Sequence, residues 1–264
     1  MKIPTNETPG FQLKRIALLG MSGLGKTFIS RNLFKNDNWS HYSVDYEIGM
    51  LLFKDEHQNL LEGFDIDNLT NLSNFLGKPG SSSKGGIPFS EYVSRQQLHR
   101  DAETEATLKA CSLVEKSPDL SHLVCDTSGS ICELVNPSDK DDILLTSLSR
   151  NFLIICLEAP EFIYQVLIDR FLARPKPMYY EENFLNSLWQ TFKTGSSETD
   201  DKINPDDFMI FGFKALIERR KAIYDMIAKN WGIRLNFEHL RNVKTEADLM
   251  GVIQSEIESE IKRQ

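Results

Sequence analysis

One run of eight residues constrains this chain more than any other: Gly20-Met21-Ser22-Gly23-Leu24-Gly25-Lys26-Thr27. Glycines at the first, fourth and sixth places let the backbone turn with its N–H groups pointing inward, where a Cβ would stand in the way. A helix opening near Lys26 adds its unpaired amides and the positive end of its dipole. Lysine followed by a hydroxyl residue completes G-x-x-x-x-G-K-[ST], in which the lysine reaches the outer phosphates of a nucleotide and the hydroxyl meets its magnesium ion. The spacing predicts that Gly20, Ser22, Gly23, Leu24, Gly25, Lys26 and Thr27 hold the phosphates of ATP, or else GTP, with Thr27 as a Mg²⁺ ligand.

The surroundings suit that reading. Arg15-Ile16-Ala17-Leu18-Leu19 is a short apolar run ended by glycine, the mark of a buried parallel strand. After the loop, Phe28, Ile29 and Leu33 fall on one face of a helix expected over 26–34. Further strands are expected at 42–44, 123–125, 151–157 and 233–237. Helices at 90–115 and 208–230 separate some of them. A last helix opens at Thr245 and buries Leu249, Val252, Ile253 and Ile257. Such alternation predicts an α/β fold in three layers, a phosphate-loop domain whose five-stranded parallel sheet is covered on both faces.

A single domain over 1–264 is expected, with polar insertions at 53–88 and 181–207 forming a cap. The second insertion carries an amphipathic helix (Phe184, Leu185, Leu188, Trp189, Phe192) and then a polar loop at 194–207. Segments of this kind often act as lids.

Composition narrows the function. Hydrophobic residues make up 41% and charged residues 26%, as in an ordinary soluble protein, and the net charge of −8 argues against a nucleic-acid partner. No apolar run approaches the roughly 18 residues of a membrane helix, and the N-terminus lacks an apolar signal core. A cytoplasmic protein without membrane attachment is therefore expected. The four cysteines form no C-x-x-C pair and read as buried reduced thiols, and the five histidines lack ligand spacing, so no structural metal is expected.

Ligands of open parallel sheets sit at the C-terminal ends of the strands. Asp126 ends the third strand and is a candidate for the magnesium side. Asp45 follows the second and could accept a hydroxyl proton or, more simply, cap a helix. Arg170, Arg174 and Lys176 lie in a proline-broken stretch, Asp169 to Met178. It reads as a mobile flap carrying positive charge to a transferring phosphoryl group, or as a solvated basic face.

Taken in order, these elements resemble the shikimate kinase family of phosphate-loop kinases. Ser43-Val44-Asp45-Tyr46-Glu47-Ile48 is similar to the family's Asp-x-Asp-x-x-Ile element, with Asp45 at the acid that meets substrate hydroxyls and Ser43 replacing the acid nearer magnesium. Arg100-Asp101-Ala102-Glu103 looks like the element whose arginine grips the substrate carboxylate. Thr127-Ser128-Gly129 stands where the family has three glycines, and Lys176-Pro177-Met178 resembles its flap. Arg220, followed by Tyr224 and Ala228, is similar to a second carboxylate-binding arginine. The run His41 to Tyr46 is also similar to one shared by bacterial proteins known only as ATPases. The resemblance implies an ATP- and Mg²⁺-dependent kinase of a small hydroxylated, anionic acceptor held by Asp45, Arg100, Gly129 and Arg220. Ser43 and the insertions instead favour a nucleotide sensor with a protein partner.

The first expected outcome concerns Lys26. Calorimetry with ATP and Mg²⁺ should show binding that Lys26→Ala abolishes, and any turnover should fall by on the order of 10²–10³.

Overall fold

The computed structural model of the chain describes residues 14–33, 39–53, 70–117, 120, 122–196 and 199–263. Its strands are β1 (Arg15–Leu19), β2 (Ser40–Ser43), β3 (Leu123–Asp126), β4 (Leu153–Glu158) and β5 (Ile233–Asn236). Its helices are α1 (Lys26–Phe28, continuing as a π-helical turn Ile29–Leu33), α2 (Val44–Phe53), α3 (Thr70–Leu76), α4 (Phe89–Lys116), α5 (Ile143–Asn151), α6 (Glu161–Ala173), α7 (Glu182–Ser196), α8 (Pro205–Trp231) and α9 (Glu246–Arg263). They group into two compact units. The first comprises Met1–Val44, Glu105–Glu161 and Lys221–Gln264; the second comprises Asp45–Thr104 and Phe162–Arg220.

The first unit holds the sheet. All five strands are parallel, in the order β2-β3-β1-β4-β5. β3 is buried throughout, and β1 and β4 are buried at all but one residue each. That explains their unbroken apolar runs, since helices cover both faces of such sheets. β1 pairs with β3 on one side and β4 on the other, so Leu18 lies opposite Asp126 and Ile155. Ser43 also lies opposite Asp126, which brings the ends of β1, β2 and β3 level. Two helices show a local reason to start. Asp142 caps α5 by accepting from the Leu145 amide at 2.9 Å, and Leu144, Leu145 and Leu148 face the core. Thr245 and Asp248 bond reciprocally at the start of α9, whose Leu249 and Ile253 are fully buried. All four cysteines are free and buried, as expected.

Several boundaries differ from the sequence reading. β2 ends at Ser43 rather than Val44, so Asp45 sits in the first turn of α2, where an acid suits the helix dipole. Phe28, expected to share a helical face with Ile29, is 66% exposed, while Ile29 and Ser30 are buried where the helix widens into its π-helical turn. Asn151 ends α5 and is not part of β4. α7 runs on to Ser196, three residues into the stretch 194–207 expected as a polar loop. Residues 54–69 of the expected cap lie outside the described residues.

The second unit has an aromatic core. Trp189 stacks on Phe89 with ring centroids 4.4 Å apart and meets Phe208 edge-on, while Phe171 stacks on Phe213. The expected stripe of α7 is buried at Leu185, Leu188 and Trp189. The Gly- and Ser-rich stretch 77–86 forms a closed loop. The Gly80 amide donates to Ile87 and the Ile87 amide to Lys78, each at 2.9 Å. The loop is tied to the start of α8, through the Ser81 amide on Ile203 O at 2.9 Å and a 2.6 Å ion pair between Lys78 and Asp206.

A polar seam completes this unit. Tyr92, Gln96, His99 and Glu103 recur at helical spacing on one face of α4, and all are buried. Tyr92 Oη and Gln96 Nε2 donate to Met178 O at 2.6 and 3.1 Å, and Gln96 Oε1 accepts from the Tyr180 amide at 2.8 Å. His99 stacks on Tyr179, its Nδ1 3.6 Å from Glu103. Burial, then the positive charge of Arg220, lowers the His99 pKa from 6.5 to about 4. His99 is therefore neutral at pH 7, and its approach to Glu103 is not an ion pair.

This pKa carries a sign that can be tested. The unfolded chain takes up a proton at His99 below about pH 6.5, whereas the folded chain resists until about pH 4. Stability should therefore fall as pH drops through that window, by roughly 3 kcal/mol in all. Thermal melts of the wild type and His99→Gln from pH 7 to 4 check this: the variant should lose stability less steeply.

Candidate functional site

The phosphate loop follows β1 directly. Gly20, Gly23 and Gly25 have φ of 148°, 92° and 88°, values that side-chain-bearing residues rarely adopt. At Gly25 the chain turns into α1, and the Gly25 carbonyl accepts the Ile29 amide at 2.9 Å. Lys26 is 7% exposed, and its ammonium folds back over the loop, donating to Gly20 O at 2.6 Å and Met21 O at 3.4 Å. Ser22, Gly23 and Thr27 are exposed, while Leu24 is buried beneath them. The loop thus exposes its backbone at Ser22 and Gly23 and the Thr27 residue, with one lysine charge held close against it.

The segment after β3 forms the wall behind it. Thr127 donates to Leu18 O through both its amide, at 3.2 Å, and its hydroxyl, at 2.8 Å. Ser128 and Ser130 hydroxyls pair at 2.8 Å. Gly129 lies so close to the loop that a Cβ there would stand 2.5 Å from the Ser22 nitrogen and 3.0 Å from its Cα. Tyr224 of α8 donates its buried hydroxyl to Gly129 O at 3.1 Å. Gly129 is therefore a point of backbone contact with the phosphate loop.

Asp126 forms the acidic side. It is 5% exposed, and its Oδ2 lies 3.4 Å from Ser30 Oγ and 3.9 Å from His41 Nε2. Ser30 also lies 3.1 Å from Thr27 O, linking the first turn after the loop to the carboxylate. Among the described residues these two side chains are the carboxylate's partners, and neither is a lysine or arginine. A carboxylate withdrawn from water in this way is short of positive charge. Together with the exposed Thr27 hydroxyl, it offers the oxygen donors that Mg²⁺ prefers, so the residues present fit that ion.

The remaining candidates belong to the second unit. Asp45 is half-buried in the first turn of α2. Arg100, also half-buried, lines a small cavity with Gln96, Gln97, Tyr179, Tyr180 and Glu182. Arg220 is 3% exposed and donates to Tyr179 O at 2.7 Å. Both arginines thus border Tyr179, and Asp45 is not among the residues lining the cavity. Arg170, Arg174 and Lys176 are exposed, and α6 ends at Ala173, ahead of Pro175 and Pro177.

Sequence reasoning passed over Ser30 and His41. Each had a signal: Ser30 lies one helical turn beyond Lys26, and His41 shares a face of β2 with Ser43.

No protein-family model matches the chain, and no curated protein matches it. Among solved structures it is similar to shikimate kinase from Bacteroides thetaiotaomicron, at 16% identity and a TM-score of 0.41, over 92% of this chain and 98% of that one. It is also similar to shikimate kinase from Acinetobacter baumannii in complex with shikimate, at 15% identity and a TM-score of 0.40, over 95% and 97%.

The contact between Gly129 and Ser22 gives a test. Gly129→Ala should push the phosphate loop aside, at about 1–3 kcal/mol for overpacking, and weaken binding of a non-hydrolysable ATP analogue by roughly 10-fold or more. Tyr224→Phe, which removes one hydrogen bond, should cost about 5-fold. Calorimetry on both variants, with melting curves to confirm folding, measures the effect. Unchanged affinity in both would show that this brace does not position the loop.

Proposed function

We propose that the chain is an ATP-dependent phosphotransferase acting on a small, hydroxylated, anionic acceptor. The observation that carries this reading is the conformation of the loop: positive-φ glycines, a lysine folded over them and an exposed hydroxyl at the start of α1. Gly20, Ser22, Gly23, Leu24, Gly25 and Lys26 would hold the phosphates through main-chain amides and one charge. Thr27 and Asp126 would hold Mg²⁺, which when bound neutralises phosphate charge. Asp45 would anchor the acceptor hydroxyl or take its proton. Arg100 and Arg220 would hold the acceptor's anionic group, Arg100 being the more accessible. Gly129 would keep the wall close enough for the loop to take its shape. Arg170, Arg174 and Lys176 would bring positive charge to the transferring group and help exclude water, which competes as nucleophile.

The burial of Arg220 supports a second reading. An arginine already spent on a backbone carbonyl is poorly placed to grip a ligand. On this view the protein is an ATP-binding regulator with a protein partner and little turnover.

Phosphorus NMR on the protein with ATP, Mg²⁺ and pools of hydroxy-acids and sugar acids separates the two. Transfer to a pool member, lost in Lys26→Ala, is the expected result. Hydrolysis to phosphate alone in every pool would overturn the kinase reading. Shikimate itself should be turned over at less than about 1 s⁻¹, below the usual enzyme range. Ser43 replaces an acid of the family's pattern, and Thr127 and Ser128 add bulk where that pattern has glycine.

A further inference from the structure

We infer that His41 belongs to the cation site, supplying an imidazole nitrogen beside Asp126 and giving the nucleotide-bound ion a preference for manganese over magnesium. The inference rests on the nucleotide reading above and goes beyond it, since an oxygen-only site has no use for a histidine.

Three observations carry it. First, His41 Nε2 is buried and makes no hydrogen bond among the described residues. A buried polar atom without a partner is uncommon and calls for a reason. Second, it faces a carboxylate that has no lysine or arginine partner among the described residues: Asp126 Oδ2 lies 3.9 Å away and accepts from Ser30 Oγ at 3.4 Å. That gap is too long for a hydrogen bond and shorter than the roughly 4.5 Å that a bridging water spans. It suits two ligands of one ion, which at about 2.0–2.2 Å each from the metal lie roughly 3–4.4 Å apart. Third, the strand fixes the orientation. Tyr42, between His41 and Ser43, donates its hydroxyl to Ala106 O at 2.8 Å, and alternation along β2 sends its neighbours to the other face. There Ser43 is in register with Asp126.

Magnesium favours oxygen ligands and dehydrates reluctantly, whereas imidazole suits first-row transition metals. Replacing one oxygen with the His41 nitrogen therefore shifts preference toward Mn²⁺. Thr27, Asp126 and the phosphates would supply the remaining donors.

The test uses the full chain labelled with ¹⁵N-histidine, bound to Mn²⁺ and a non-hydrolysable ATP analogue. Pulsed electron paramagnetic resonance should detect a histidine nitrogen coupled to the manganese, and His41→Asn should lose it. In titrations, His41→Asn should lower the ratio of Mn²⁺ to Mg²⁺ affinity by about 10-fold, a typical cost of altering a metal's surroundings. Analogue and Mn²⁺ bound without histidine coupling in the wild type would overturn the role of His41 and leave the nucleotide site standing. Coupling that survives in His41→Asn would also overturn it, assigning the signal to another histidine. Failure of the wild type to bind the analogue at all would remove both readings together. The wild-type spectrum needs no variant, so misfolding of His41→Asn cannot shelter the inference.

Discussion

The first unit's site hangs on one backbone carbonyl. Leu18 O accepts both the amide and the hydroxyl of Thr127, just past the point where Leu18 and Asp126 lie side by side. Leu18 is two residues from the first glycine of the phosphate loop, so the exits of β1 and β3 are tied together where they leave the sheet. Gly129 then comes to rest against Ser22, and Tyr224 secures it from behind. A catalytic arrangement must hold its groups within a fraction of an ångström, and sites built on strand ends do this better than free loops.

Charge is distributed with the same economy. The chain carries a net charge of −8, yet the ammonium at the loop is buried and folded over backbone oxygens. Asp126 is buried too, with a hydroxyl and an imidazole for company. Both charges act in a poorly solvated setting, where each is felt more strongly than it would be in water. An overall acidic protein can thus still concentrate positive charge at one loop, because the local field is set by a few oriented groups rather than by the sum.

The second unit follows a different logic. Its seam on α4 binds the Met178 to Tyr180 backbone through side chains, much as a neighbouring strand would through its own backbone. Arg220 binds the same stretch from α8. Lys176 and the exposed arginines precede this anchored stretch, so any movement of the positively charged segment has a fixed end at Met178. The loop 77–86, whose glycines and serines suggest looseness, is closed by hydrogen bonds to its own backbone and to Ile203. Composition alone misleads there, because small residues serve tight packing as well as flexibility.

By itself the sequence determined the strand–loop–helix with its phosphate-binding pattern, the parallel five-stranded sheet and the buried stripes of α7 and α9. These depend on local rules: glycine's freedom at positive φ, the unbroken apolar runs of strands covered on both faces, and the spacing of apolar residues along a helix. Asp126 was legible for the same reason, as the polar residue that ends a buried apolar strand. Only the tertiary structure decided that Asp45 opens a helix, that Phe28 faces solvent, that Arg220 is buried, and that Gly129 abuts Ser22. It alone brought His41 within 3.9 Å of Asp126. Those facts depend on register and on contacts between residues up to about a hundred positions apart, such as Tyr224 with Gly129. No local pattern encodes such distances, since they are set by which strands pair and by how far each chain segment runs before it turns.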